Sequence, residues 1–177
     1  IEGQFGAGQT VQMLKAMGAG RIIGIDVSAA RLNLAREFGA DITINGRDED
    51  PLAAVTRITG EGAYGVGARA DIVIEASGSA ALLSQAISMT RAAGKLRIAA
   101  LYEGEPAIPA NQIVQKEMSV SGTFAYKGEF AEVLQLLDSG RITAAPAITH
   151  TFPLEQIEQA FRTQLDKDIS IKVQVKP

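Results

Sequence analysis

Residues 11–41 read VQMLKAMGAGRIIGIDVSAARLNLAREFGAD, and this stretch decides the fold class. Its first segment spaces apolar residues three apart, as on one face of a helix, and Gly18 is a typical helix end. The apolar run at 21–26 then predicts a short buried strand. Ser28 is a helix-capping residue, and the helix that it begins ends near Gly39. A helix, a strand and a second helix in direct succession indicate an α/β domain.

The same alternation continues along the rest of the chain. The predicted strands are rich in isoleucine and valine without strict alternation, which is typical of a parallel sheet covered on both faces. We therefore predict a doubly wound α/β fold with a mainly parallel, six-stranded sheet across residues 1–145. A strand–helix–strand segment at 146–177 would pack on a further domain. The strands are predicted at 1–2, 21–26, 41–45, 71–76, 95–101 and 118–126, and in the final segment at 148–152 and 171–175.

The composition excludes several classes of protein. Of the 177 residues, 46% are apolar and 21% are charged, which is typical of a globular protein. The net charge of −3 predicts neither a nucleic-acid partner nor an anionic membrane partner. Because there is no cysteine and His150 is the single histidine, we expect no metal site in this sequence. No signal peptide is visible, so we expect a cytoplasmic protein, and the isoleucine at position 1 indicates a fragment.

The chain begins IEGQFGAGQT, with glycines at Gly3, Gly6 and Gly8 just before the first helix. Glycines at such a turn allow the backbone N–H groups of a helix N-terminus to approach a pyrophosphate. Asp26 ends the next strand 18 residues after Gly8, close to the usual offset of an acid that accepts hydrogen bonds from an adenosine ribose. A carboxylate there repels a 2′-phosphate and favours NAD over NADP. The alternatives are a glycine turn without ligand and an acid that only caps the helix at Ser28.

Further candidates follow the later strands, because ligands of doubly wound sheets bind at the carboxyl ends of the strands. Glu75 ends the strand at 71–76 and either faces the ligand crevice or is solvated. Ser77 and Gly78, which follow Glu75, are candidates for binding the cofactor, and Leu101, Tyr102, Thr123 and Phe124 are candidates for binding its nicotinamide. Each of them is also explained as an ordinary strand end. No residue is assigned a catalytic role.

Four blocks of the sequence together resemble the coenzyme-binding (Rossmann) domain of medium-chain dehydrogenases of the zinc-dependent alcohol dehydrogenase type. They are the stretch at 11–41, DIVIEASGS, AAGKLRIAAL, and EFAEVLQLLDSGRI with FPLEQIEQAF. The resemblance covers nearly the whole chain. It implies an NAD cofactor and hydride transfer between an alcohol or polyol and the nicotinamide. It also implies that zinc and the catalytic residues belong to an N-terminal domain that this sequence lacks, so the fragment alone would be inactive.

The first turn departs from the pattern of that family. The glycines here read G-x-x-G-x-G, whereas the dinucleotide fingerprint reads G-x-G-x-x-G. Counting back from KAMGA by the family's spacing reaches no glycine at all. Aligning on GQT makes Gly8 the third glycine and Gly3 the first, with Phe5 in the middle position. The individual roles of the glycines therefore stay open.

Two other functions remain possible from the sequence. EGQFGAG followed by an acid at a strand end loosely resembles the opening of S-adenosylmethionine-dependent methyltransferases. The later blocks favour the dehydrogenase over this reading. The second possibility is a non-catalytic nucleotide-binding module.

The strand at 118–126 also predicts how the chain assembles. It would form an edge of the sheet, and residues 118–125 contain neither a charge nor a proline that would prevent pairing with another chain. We expect a two-fold homodimer in which this strand pairs with its own copy. The alternative is a monomer in which the preceding loop, YEGEPAIPANQIV, covers the edge.

Overall fold

A computed structural model describes residues 7–62, 65–125, 128–166 and 168–177. The chain divides into two compact units. The first unit contains the described residues of 46–125, and the second contains those of 7–45 and 128–177. The strand predicted at 1–2 lies outside the described residues. The predicted boundary between residues 145 and 146 stays a prediction.

Helices and parallel strands alternate along the described chain, which confirms the α/β class. The helices are α1 (Ala7–Ala16), α2 (Ala29–Glu37), α3 (Pro51–Thr59), α4 (Ala80–Met89), α5 (Ala110–Gln115), α6 (Phe130–Asp138) and α7 (Ile157–Leu165). The strands are β1 (Ile23–Asp26), β2 (Ile42–Asn45), β3 (Ala70–Glu75), β4 (Thr90–Ile98), β5 (Ser119–Gly122), β6 (Ile148–Pro153) and β7 (Lys172–Lys176). Short 3₁₀ turns occur at Ala145–Ala147 and Leu154–Gln156.

The first unit is built on a parallel sheet of order β3-β4-β5. Leu96 lies at its centre, opposite Val73 on one neighbouring strand and Val120 on the other. This apolar row packs against the face of α4 that carries Leu83 and Ile87, at the four-residue spacing of one helix face. Leu96 is fully buried, so the core of this unit forms between α4 and the sheet.

A buried lysine closes the end of α4. Lys116, which directly follows α5, is 7% exposed. Its Nζ donates to the carbonyl oxygens of Ile87 at 3.1 Å, Ser88 at 2.9 Å and Thr90 at 3.0 Å. The last carbonyls of a helix have no partner within the helix, and here the ammonium group supplies one. Burial lowers the pKa of Lys116 from its usual value.

The second unit contains two parallel strand pairs, β1-β2 and β6-β7. Its core joins Val11 of α1 to Leu34 and Ala35 of α2. Gln12 of α1 makes two hydrogen bonds of 2.8 Å with the backbone of Thr143, one as donor and one as acceptor. These bonds fix α1 against the segment that follows α6.

The sequence predictions of the sheet are corrected in three places. The described strands of the predicted domain form a two-stranded and a three-stranded sheet, so one six-stranded sheet is not what the described residues show. The strand predicted at 95–101 begins earlier, because α4 ends at Met89 and Thr90 is extended and begins β4. The predicted loop at 102–114 contains the start of α5, whose Ile113 packs on the core of the first unit.

Asp41 predicts a pH dependence of stability in the second unit. Its Oδ2 accepts a hydrogen bond of 2.7 Å from the backbone N–H of Ile22, and Lys15 Nζ lies 3.4 Å from its Oδ1. The Ile22 hydrogen bond, more than the charge of Lys15, lowers the pKa of Asp41. A lowered carboxyl pKa contributes stability that is present above the unfolded value of about 4 and is lost as the pH falls through the folded pKa.

We therefore expect Asp41→Asn to lower the thermal unfolding midpoint at about pH 7 and to have a smaller effect at about pH 3. The asparagine still accepts from Ile22, so the variant removes the charge and keeps the contact. Thermal unfolding followed by circular dichroism at both pH values measures the difference. An equal difference at both pH values would contradict the role given to the ionised carboxylate.

Candidate functional site

Asp26 is a buried carboxylate with one unused oxygen. It is the last residue of β1 and is 2% exposed. Its Oδ1 accepts a buried hydrogen bond of 2.9 Å from the backbone N–H of Ser28. Its Oδ2 is buried and has no hydrogen-bond partner in the described part of the chain. Buried polar atoms are normally paired in native proteins, so this oxygen is an acceptor available to a donor other than the described residues.

Arg31 is a candidate that the sequence reasoning missed. It lies in the first turn of α2, and its backbone N–H donates to Oγ of the capping residue Ser28 at 3.5 Å. Its Nε is buried without a hydrogen-bond partner among the described residues. A basic residue five positions after the acid at a strand end was the available signal. Asp26 and Arg31 thus bring an unused acceptor and an unused donor to the start of one helix.

Gly8 has a packing role at the start of α1. A Cβ atom at this position would lie 2.7 Å from Cδ2 of Phe38 and 3.0 Å from Leu34. Only a glycine therefore allows α1 to approach α2 this closely, which is the kind of role that the third glycine of a dinucleotide fingerprint has. Gly3 and Gly6, the other two predicted glycines, lie outside the described residues.

In the first unit, the candidates after β3 and β4 meet around Glu75. Glu75 is the last residue of β3 and is 4% exposed. Its Oε1 accepts from the backbone N–H of Ser77 at 2.7 Å and from the Ser77 hydroxyl. Its Oε2 accepts from the hydroxyl of Tyr102. Glu75 is thus part of a buried hydrogen-bond cluster. The predicted alternative of a solvated acid is therefore wrong.

Gly78 and Leu101 approach each other in the same region. Gly78 has a φ of +74°, and a Cβ atom there would lie 2.7 Å from the carbonyl oxygen of Leu101. A side chain is therefore excluded at this contact. The structure brings four predicted site residues of the first unit together, namely Ser77, Gly78, Leu101 and Tyr102.

Two predicted strand ends are shorter than expected. Because β4 ends at Ile98, Leu101 and Tyr102 lie in the loop that follows it. Thr123 and Phe124 likewise follow β5. The backbone N–H of Thr123 donates to the carbonyl oxygen of Ile98 at 2.9 Å, which keeps this segment beside the end of β4. Phe124 is 76% exposed.

The described ranges contain neither a cluster of metal ligands nor a membrane-spanning helix. Within them, no group of three or more histidine, cysteine, aspartate or glutamate side chains is placed to hold a metal ion. None of the helices found there has the length and hydrophobicity needed to cross a membrane.

The chain is similar to curated proteins that are dehydrogenases by name. Human sorbitol dehydrogenase is 30% identical over 167 residues, which cover 94% of this chain and 45% of that protein. L-threonine 3-dehydrogenase of Bacillus subtilis (strain 168) is 37% identical over 155 residues, which cover 85% of this chain and 43% of that protein. The chain thus spans less than half the length of these curated relatives.

A solved structure and a family model agree with these relatives. The crystal structure of an alcohol dehydrogenase from Escherichia coli CFT073 in complex with NADH matches with a TM-score of 0.81 and 25% identity, over 92% of this chain and 47% of that chain. This similarity confirms the predicted fold class. The family model described as zinc-binding dehydrogenase matches residues 8–139. The chain therefore belongs to the zinc-binding dehydrogenase family.

Proposed function

We propose that this chain is the NAD-binding part of an oxidoreductase that transfers hydride between an alcohol or polyol and the nicotinamide. The observation that carries the proposal is the unused, buried Oδ2 of Asp26. The names of the relatives, which are sorbitol and threonine dehydrogenases, support the substrate class. The NADH bound to the similar alcohol dehydrogenase supports the cofactor.

The chemistry of Asp26 fits an adenosine ribose. A ribose hydroxyl is a hydrogen-bond donor, and the Asp26 Oδ2 is an acceptor that lacks one. A 2′-phosphate would place negative charge against the same carboxylate, so NAD is expected to bind better than NADP. The buried Nε of Arg31 offers a donor to the same end of the cofactor. Gly3, Gly6 and Gly8 are proposed for the phosphate turn, with Gly8 in the packing role.

The nicotinamide end is proposed to meet residues that follow β3, β4 and β5. The candidates are Ser77, Gly78, Leu101, Tyr102, Thr123 and Phe124, which all follow the carboxyl end of a parallel strand. The bound cofactor supplies the hydride acceptor, and these residues orient its ring and exclude water from it. The side chains present here do not fit a zinc site, because the sequence has no cysteine and a single histidine. We expect zinc only in residues outside this sequence.

Calorimetric titration of the 177-residue chain with NAD, and separately with S-adenosylmethionine, tests the proposal. We expect heat of binding from NAD alone. Binding of S-adenosylmethionine alone would instead support the methyltransferase alternative. The cytoplasmic location expected from the sequence stays a prediction.

We also propose that the chain forms a homodimer through the strand predicted at 118–126. Within the described residues, β5 pairs with β4 alone and forms an edge of its sheet. An edge strand offers backbone N–H and C=O groups to a second copy. The four residues of β5 carry no charge that would oppose this pairing.

Lysine substitution at this edge tests the dimer. Sedimentation at about micromolar concentration should show a dimer for the wild type and a monomer for Thr123→Lys, because paired lysines at a two-fold interface repel each other. Val120→Lys should act in the same way, but Val120 also packs on the core, so Thr123 is the cleaner site. Ser139→Lys, an exposed position after α6, is the control. A monomeric wild type, or a dimer that tolerates both edge lysines, would contradict the proposal.

A further inference from the structure

The Glu75 carboxylate joins three segments of the first unit. Through Oε1 it holds Ser77, in the turn after β3, and through Oε2 it holds Tyr102, in the loop after β4. The Ser77 hydroxyl donates to Glu75 and at the same time accepts from the backbone N–H of Ser79 at 3.0 Å. Ser79 is the N-cap residue of α4. The hydrogen bonds therefore run from the loop after β4, through the end of β3, to the start of α4.

This carboxylate differs from that of Asp26 in how it is used. Both are buried at the end of a parallel strand, but one oxygen of Asp26 has no partner among the described residues, whereas both oxygens of Glu75 accept hydrogen bonds from this chain. Three donors stabilise a buried carboxylate in place of a cation. Glu75 therefore has an internal task and is not a ligand of the cofactor.

Tyr102 is held at both ends of its side chain. Its ring packs against the core cluster of α4 and β4, and its hydroxyl donates to Glu75. Burial, followed by the hydrogen bond to Glu75 and the charge of that carboxylate, raises the pKa of Tyr102. The phenol thus stays protonated near neutral pH, and it acts as a fixed donor and not as a base.

We propose that Glu75 is a positioning residue, which holds the loops after β3 and β4 through Ser77 and Tyr102 in the arrangement that receives the nicotinamide half of the cofactor. The inference rests on the proposed function and names a residue that sets affinity without touching the ligand. Its physical basis is preorganisation, since a loop that is ordered before binding does not lose that freedom on binding.

Two ligands separate this role from general stability. NADH contains the nicotinamide, whereas ADP-ribose has the adenosine ribose and the pyrophosphate without it. Binding of both is measured for the 177-residue chain and for Tyr102→Phe, Glu75→Gln and their double variant. NADH fluorescence gives a second readout at the nicotinamide itself, and the absence of tryptophan keeps the protein emission simple.

We expect each single variant to weaken NADH binding about tenfold, because the loop that is no longer held must be ordered on binding, and to change ADP-ribose binding less than about twofold. The double variant should be no weaker than the weaker single variant, because both remove the same interaction. Glu103→Gln, an exposed residue of the same loop, is the matched control and should bind both ligands like the wild type. Tyr102→Phe keeps the ring in the core, so it tests the idea even where Glu75→Gln fails to fold.

Unchanged NADH affinity in Tyr102→Phe, or equal weakening of NADH and ADP-ribose, would overturn the positioning role while the proposed function stands. A wild-type chain that binds neither ligand would overturn the proposed function and this inference with it.

Discussion

Replacing Lys116 with methionine is expected to lower the free energy of unfolding by about 3 kcal/mol. The ammonium group of Lys116 donates to three carbonyl oxygens at and just after the end of α4. Methionine offers no donor to any of them, although the Ser88 oxygen keeps its hydrogen bond from the backbone N–H of Ala68. A buried polar group left unpaired costs about 1–3 kcal/mol, and a water that replaces the ammonium offsets part of the sum. Methionine keeps most of the volume, so the loss reports the hydrogen bonds and not a cavity.

Chemical denaturation followed by circular dichroism measures this change. Lys95→Met, on an exposed position of β4, is the matched control and should alter stability by less than about 0.5 kcal/mol. A loss below about 1 kcal/mol for Lys116→Met would contradict the view that the lysine is a required partner of the helix end.

Asp26→Asn is expected to weaken NAD binding with little change in the free energy of unfolding. Losing a charged acceptor should weaken NAD binding by about 1–3 kcal/mol. The same change removes a buried charge but places an amide NH2 group where Oδ2 has no partner among the described residues, so the two effects on the stability of the ligand-free chain oppose each other. The asparagine Oδ1 still accepts from Ser28, so the start of α2 is preserved.

Calorimetry and denaturation of the same preparation measure both effects. Asp26→Ala should weaken NAD binding similarly. Because it also removes the acceptor of the Ser28 N–H hydrogen bond, it should lower the free energy of unfolding. Asp138→Asn, an exposed residue at the end of α6, carries the same charge change and should leave NAD binding unaltered. Equal affinities of Asp26→Asn and the wild type would remove Asp26 from the site.

Local sequence patterns predicted the features that depend on residues close together in the sequence. Asp26 was found because a buried strand, an acid and a capping serine follow one another in IGIDVS. The alternation of apolar helices and strands likewise predicted the α/β class. The packing role of Gly8 was not predictable from the sequence. The side chain that packs against it, Phe38, lies beyond β1, at the end of α2.

Features that depend on contacts far apart in sequence were not predictable. Tyr102 lies 27 positions from Glu75, and Lys116 lies 29 positions from the carbonyl of Ile87, so no periodicity connects either pair. The helix α5 was missed because its segment begins at Pro109 among turn-forming residues, whereas packing of Ile113 on the core favours a helix there. The loops after β3 and β4 therefore had to be seen in the structure before Glu75 could be given a role.

The ratio of NAD to NADP affinity in the wild type and in Asp26→Asn tests most directly the claim that this carboxylate receives the adenosine ribose. Calorimetric titration of each chain with each cofactor gives the four constants. We predict that the wild type prefers NAD by at least about tenfold and that the preference falls about tenfold or more in Asp26→Asn, since the variant no longer repels a 2′-phosphate. The same ratio in both chains would contradict the account.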